Sequence, residues 1–261
     1  MDFPAALRER RAHSRISQLD LALRVGTTQR HVSFMETGRS APGRAMVVRL
    51  AESLGLPLRD RNGLLLAAGY APAYAESALD GPELAPVRDA LRGILDGHQP
   101  YPAVVVDHHG GVVAANAAFG VLTRGVAPAL LAAPNAYRIA LHPDGLAPRV
   151  QNLAQWARHV LERLDQALAR RPDDRLADLR AELGSFVPAP EIGPDHLGFA
   201  VPLRLASPHG ELRLITTVTT FATAVDVTLA ELKLEAFLPA DAATAVALAA
   251  AADSAVRSPE R

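Results

Sequence analysis

Between Thr28 and Glu36 the chain reads Thr-Gln-Arg-His-Val-Ser-Phe-Met-Glu. At helical spacing Gln29, Arg30 and Ser33 share one face by steps of three and four residues, while Val32 and Met35 share another. One side can pack and the other can make directed hydrogen bonds. Gln matches the edge of adenine and Arg that of guanine, each through a bidentate pair, and a helix of this diameter fits the major groove of DNA. A solvated amphipathic hairpin would carry the same pattern, so the elements around it have to decide.

Those elements are legible. Ser17 is a good N-cap, and Asp20, three residues on, can reach back as in a capping box. Leu21, Ala22 and Val25 then form an inward stripe, and Gly26 stands where the chain must turn without a Cβ penalty. Thr28 caps the helix that follows. Upstream, Asp2 to Ala12 reads as a helix with Pro4 in its first turn, Leu7 facing inward and a basic run at Arg8, Arg10 and Arg11. Downstream, Gly38 stops the reading helix and Pro42 lies in the connection. Ala45 to Leu54 repeats apolar residues at Met46, Val47, Leu50 and Leu54, and a fifth helix runs from Pro57 to Gly69. Five short helices make an all-α domain over residues 1–70.

Charge divides the chain in the same place. The 261 residues carry a net charge of -1, but up to Tyr70 there are eleven Arg against six acidic residues, which leaves the remainder acidic. A basic head on an acidic body suits a protein that meets phosphate with one end only. There is no cysteine, which removes disulfides and thiolate metal chemistry and fits a reducing compartment. The first residues lack an apolar signal-peptide core and no run of about 18 apolar residues occurs, so a cytoplasmic protein without membrane contact is expected.

Ser17-Gln18, Leu21-Ala22, Gly26, Thr28, Val32-Ser33, Glu36, Gly38 and Pro42 resemble the xenobiotic-response-element family of helix-turn-helix regulators over residues 5–69. The resemblance implies a double-stranded DNA operator as partner, with Gln29, Arg30, Ser33 and Phe34 toward base edges and Gln18, Thr28, Arg39 and Arg44 toward phosphates. Phe34 can touch a thymine methyl or pack as core. Arg11 matches the arginine that pairs with Glu36 in some members, a structural ion pair.

Residues 71–86 contain prolines and Gly81 without a sustained period and read as a linker. The body opens with a helix from Val87 to Gly97, then an apolar strand from Ala103 to Val106, a turn from Asp107 to Gly111 and a returning strand from Val112 to Ala115. Asn116 can cap the helix that carries Phe119 and Leu122. This order is similar to the opening of a PAS-type sensor fold. Asn135-Ala-Tyr-Arg138, Leu141-His-Pro-Asp-Gly-Leu146, Asn152-Leu-Ala-Gln-Trp156 and Thr220 to Leu232 resemble the ligand-binding half of MmyB-like transcription regulators. Gly111 departs from that pattern, where a larger residue is common in the turn.

Val150 to Ala169 reads as a long amphipathic helix and Asp174 to Leu183 as a shorter one. Pro188 to Pro194 breaks the chain, and Pro202 to Ala206 with Glu211 to Ala222 forms a hairpin. Thr228 to Leu238 alternates as a last strand, which closes the body at residue 241. Residues 242–261 read as an alanine-rich tail, marginally helical to Ala252 and frayed from Ser254. The expected fold is thus two-domain, an all-α five-helix head followed by an α+β PAS-like sensor domain over residues 87–241 with a mixed, mainly antiparallel sheet.

No nucleophile elbow, phosphate loop, dinucleotide fingerprint or acid/base pair of carboxylates stands out, so no enzyme and no cofactor is expected. The adjacent His108 and His109 invite a metal reading, but neighbours in a turn point apart and no third ligand lies at a suitable local spacing, so no metal is expected. A sheet lined with Val, Leu and Phe can instead enclose an apolar ligand. The resemblance implies a fatty acid or similar amphiphile, with walls sought among Val104, Val106, Val113, Phe119, Leu141, Trp156, Leu214 and Phe221. Arg138 can neutralise a carboxylate and His142 can assist. One reading helix contacts few bases, so a homodimer is expected. The alternative is a head fused to a protein-partner or dimerisation module, antitoxin-like, without a small ligand.

Overall fold

The computed structural model describes residues 2–187 and 200–257. The break expected at Pro188 to Pro194 and residues 258–261 of the expected frayed end lie outside the described residues.

The head has five helices: α1 (Phe3–His13), α2 (Gln18–Val25), α3 (Gln29–Glu36), α4 (Arg44–Ser53) and α5 (Leu58–Ala67). Each start is set by local chemistry. Asp2 accepts from the Ala5 amide, Ser17 from that of Asp20 and Thr28 from that of His31. The Ser17 hydroxyl also donates to the Asp20 carboxylate at 2.6 Å; the second half of the capping box therefore closes on the hydroxyl and not on the Ser17 backbone. Gly26 takes φ 68°, a left-handed conformation that a side chain would strain, and this tight turn sets α3 across α2. Leu7, Leu21, Val32, Met35, Val47 and Leu50 are completely buried and form the core of the head.

Two compact units emerge, residues 1–81 with 221–230, and residues 82–220 with 231–261. The first unit takes in most of the segment that reads as a linker over 71–86. Asn62 accepts from the amides of Ala73 and Tyr74 and donates to the Tyr74 carbonyl at 2.7 Å. Ala75 bridges to Asp226, whose carboxylate accepts from the Ser77 amide at 3.0 Å. Local composition has no signal for such non-local bonds, so the segment reads as irregular while its backbone groups are satisfied.

The second unit begins with α6 (Ala85–Asp96), followed by β1 (Ala103–Val106), β2 (Val112–Ala115), α7 (Gly120–Thr123), α8 (Pro128–Ala132) and α9 (Ala136–Leu141). Then come α10 (Leu153–Arg170), α11 (Asp174–Phe186), β3 (Leu203–Ser207), β4 (Gly210–Thr220), α12 (Val227–Glu231), β5 (Lys233–Pro239) and α13 (Ala242–Arg257). The sheet order is β2-β1-β5-β4-β3. Its pairings among the described residues are all antiparallel, in line with the mainly antiparallel sheet expected. β5 runs between β1 and β4, and all four residues of β1 are buried, which is why β1 reads as a continuous apolar run and not as an alternation.

Asn116 holds the start of this unit together. Its Oδ1 accepts from the Ala103 and Phe119 amides and its Nδ2 donates to the Leu95 and Tyr101 carbonyls, all within 3.1 Å. At Gly111 a Cβ would lie 2.6 Å from Asp107 Oδ2. The carboxylate fills the space that a side chain would need, which accounts for glycine in this turn.

Two elements differ from expectation. The last strand begins at Lys233, and Val227–Glu231 is a short helix with Asp226 accepting from the Leu229 amide at its start. The alanine-rich end is not a tail. α13 packs onto the sheet with Leu248 fully buried and Ala251 nearly so, and its backbone continues as helix to Arg257. Alanine has the highest helix propensity, and its small side chain lets the helix lie close to the sheet, so the segment is held as a helix by burial.

Candidate functional site

The polar face of α3 is turned outward, as its spacing requires. Gln29 and Arg30 are exposed, Ser33 and Phe34 are half-buried, and Val32 and Met35 lie in the core. Phe34 is outside the head core. It lies beneath two guanidinium groups, with Arg30 Cζ 5.1 Å and Arg39 Cζ 5.8 Å from its ring centroid. A ring so placed limits the conformations of both arginines by cation–π attraction. Thr28 is exposed with its hydroxyl capping α3, and Arg44 is exposed at the start of α4.

Glu36, the last residue of α3, is 2 % exposed and supports that face from behind. Arg11 Nε donates to Oε1 at 2.6 Å, and Gln18 Nε2 donates to Oε2 at 2.7 Å. Arg8 donates to the Glu36 carbonyl at 2.6 Å. Burial alone would push the Glu36 carboxyl up, but the hydrogen bonds from Arg11 and Gln18 and the nearby arginine charges outweigh it and hold the group below its ordinary range. The Arg11–Glu36 pair is the one expected. Gln18, expected at phosphate, has its amide on Glu36. His31, which the sequence reading passed over, touches Thr27 Oγ1 at 2.9 Å and Ser40 Oγ at 3.4 Å, linking the turn before α3 to the loop after it.

A cavity of about 40 Å³ lies in the core of the second unit. Val104, Phe119 and Trp156 line it. Val106, Leu141 and Leu214 are buried in the same core but do not line it. Val113 is half-exposed on β2, and Phe221 belongs to the other unit, so neither forms a wall. Arg138 also stands apart. Its guanidinium is held by Glu182 through bonds of 2.8 and 2.6 Å, the geometry of a bidentate pair. His142 Nδ1 accepts from the Asp144 amide at 3.0 Å, and its ring meets Phe186 edge-on at 4.7 Å, so it caps a turn.

The polar groups at the cavity are ones that local pattern concealed. Arg163 on α10 and Glu235 on β5 line it and pair at 2.7 Å, with Glu235 buried. Burial lowers the Arg163 pKa, and the Glu235 charge and hydrogen bond more than restore it, so the guanidinium stays charged. Burial and the Glu235 charge push the Tyr137 hydroxyl up, keeping it neutral. Trp156 Nε1 is buried and has no hydrogen-bond partner among the described residues. Glu235 sits in an otherwise apolar strand, Leu-Glu-Ala-Phe, and that misfit was the available signal.

The β1–β2 turn overturns the expectation that His108 and His109 point apart. Their ring centroids are 3.7 Å apart, and Asp173, sixty-four residues away, meets His109 Nε2 at 3.1 Å.

Among the described residues no helix is long and apolar enough to cross a membrane. Compared with known families, residues 87–251 match the MmyB-like transcription regulator ligand binding domain, and residues 7–60 match a helix-turn-helix domain. No curated protein matches the chain. The basic head that offers a polar helix face and the cavity-bearing unit that follows it in sequence have the same order as these two matches, and the chain belongs to the MmyB-like regulators, as a DNA-binding transcription regulator of the xenobiotic-response-element type with a ligand-binding domain.

Proposed function

We propose that this regulator reads an operator as a homodimer through Gln29, Arg30, Ser33 and Phe34, and that a small apolar or fatty-acid-like amphiphile in its PAS-type second domain alters that reading. The observation that carries the ligand half is that the buried Nε1–H of Trp156, a residue that lines the cavity, has no hydrogen-bond partner among the described residues. A buried donor without an acceptor costs about 1–3 kcal/mol, and a ligand carbonyl or carboxyl group removes that cost. Arg163, with donors beyond the one that Glu235 takes, is the second polar anchor. The strand order β2-β1-β5-β4-β3 supports the PAS-type reading.

At about 40 Å³ the cavity is smaller than the roughly 150 Å³ that admits benzene. A fatty-acid-sized chain therefore enters only as wall side chains such as Phe119 and Phe237 rotate. Such a ligand changes DNA affinity only through its different affinity for two arrangements of the protein. Dimerisation supplies two heads that read half-sites about 34 Å apart.

Native mass spectrometry of protein purified from cells tests the ligand half, with a co-purified mass of lipid character expected. Protein that is consistently empty and indifferent to added fatty acids would leave a dimerisation module in place of a sensor.

A further inference from the structure

The turn between β1 and β2 is built to hold two imidazoles. Asp107 Oδ1 accepts from the amides of His109 and Gly111, each at 2.8 Å, which closes the turn on its own carboxylate. His108 and His109 are brought side by side, with their planes inclined by 41°. Asp173, the N-cap of α11, approaches His109 Nε2 through Oδ2 at 3.1 Å. Glu231, two residues before β5, approaches His108 Nδ1 through Oε2 at 3.3 Å. One nitrogen from each histidine and one Asp173 oxygen all lie within 4.8 Å of one another.

We propose that His108, His109 and Asp173, with Glu231 as a fourth ligand, form a binding site for a divalent transition-metal ion of the zinc class. Two imidazole nitrogens and two carboxylate oxygens are a donor set that zinc and its neighbours accept in tetrahedral geometry. Bonds of about 2.0–2.2 Å place such ligand atoms roughly 3.4 Å apart, so closing the site takes side-chain rotation and no backbone rearrangement. Asp173 is already oriented, because its Oδ1 accepts from the Leu176 amide at 2.9 Å and leaves Oδ2 for the ion. Outer contacts of this kind fix a ligand's direction. The side chains of His109, Asp173 and Glu231 are 17, 18 and 14 % exposed, shielded but reachable. Asp173 and Glu231 bring two negative charges to the cluster, and Arg171 lies 3.3 Å from Glu231 Oε1. An ion here joins three parts of the ligand-binding domain that are remote in sequence, and it involves none of the residues that line the cavity.

The test is titration of metal-stripped, full-length protein with Co²⁺ followed by visible absorbance, and with Zn²⁺ by calorimetry. One equivalent of Co²⁺ should bind with the strong bands of a tetrahedral site, and Zn²⁺ should raise the melting temperature. Asp173→Asn, which retains the cap of α11, and His109→Gln should each weaken binding at least about tenfold, the scale on which even an outer contact acts. His98→Gln and His209→Gln, outside the cluster, should leave it unchanged. Absence of heat and of visible bands with the native protein, or undiminished binding in the His108→Gln/His109→Gln double variant, overturns the proposal.

Discussion

Arg11 grips Glu36 with two bonds, Nε to Oε1 at 2.6 Å and Nη2 to Oε2 at 3.0 Å, and so ties the first helix of the head to the end of its reading helix. Glu36 is almost completely buried, whereas the Arg11 side chain is 17 % exposed. Removing one partner of such a pair leaves the other charge uncompensated. Glu36→Ala should therefore destabilise the head by about 3 kcal/mol, the lower end for a fully buried pair because Arg11 retains some water. Urea denaturation followed by circular dichroism checks this, and a loss below about 1 kcal/mol would show the pair to be superficial.

The same carboxyl gives a pH signature. Its pKa in the folded head lies below the ordinary 4.5, so the folded state binds the proton less readily than the unfolded chain. The stabilisation is fully present above about pH 4.5 and is lost as pH falls through the lower folded value. Denaturation midpoints measured from pH 7 downward should fall more steeply for the native protein than for Glu36→Gln.

Arg30→Ala should cost on the order of 1 to 3 kcal/mol at the specific site and flatten base preference at one position. Arg44→Ala should weaken all sequences alike and reduce the salt slope by about one. Anisotropy titrations against randomised operators at several salt concentrations distinguish the two behaviours. Unchanged preference in Arg30→Ala would remove it from the reading set.

Trp156 is the single tryptophan of the chain, which makes its fluorescence a report on the cavity. Saturating fatty acid should shift the emission and raise the melting temperature. Trp156→Phe should weaken binding several-fold by removing the indole donor, whereas Arg138→Ala should leave affinity within about twofold, since Glu182 and not the cavity holds that guanidinium. Displacement of a fluorescent fatty acid measures both.

Asn116→Ala removes four hydrogen bonds from a side chain that is 5 % exposed. The backbone groups left behind are orphaned among β1, α6 and the turn after β2, and a loss of about 3 kcal/mol is expected. Thermal denaturation of the second unit provides the measurement. A loss under 1 kcal/mol would mean that water replaces the amide.

By itself the sequence determined what depends on neighbours in the chain. The caps at Ser17, Thr28 and Asn116, the turn at Gly26 and the division of α3 into a packed and a polar face all act over one to four residues, where propensity and spacing are decisive. The motif around Ser17 to Pro42 carried the Arg11–Glu36 pair with it.

The tertiary structure decided what depends on partners far apart. It paired Arg138 with Glu182, put Arg163 and Glu235 at the cavity, and brought Asp173 to His109. It also buried α13, whose alanines read as a tail, and took up residues 71–81 through bonds to Asn62 and Asp226. A buried charge or a bare backbone amide is stable only beside its complement. The position of that complement is set by how the sheet and helices close, and no local window of sequence contains it.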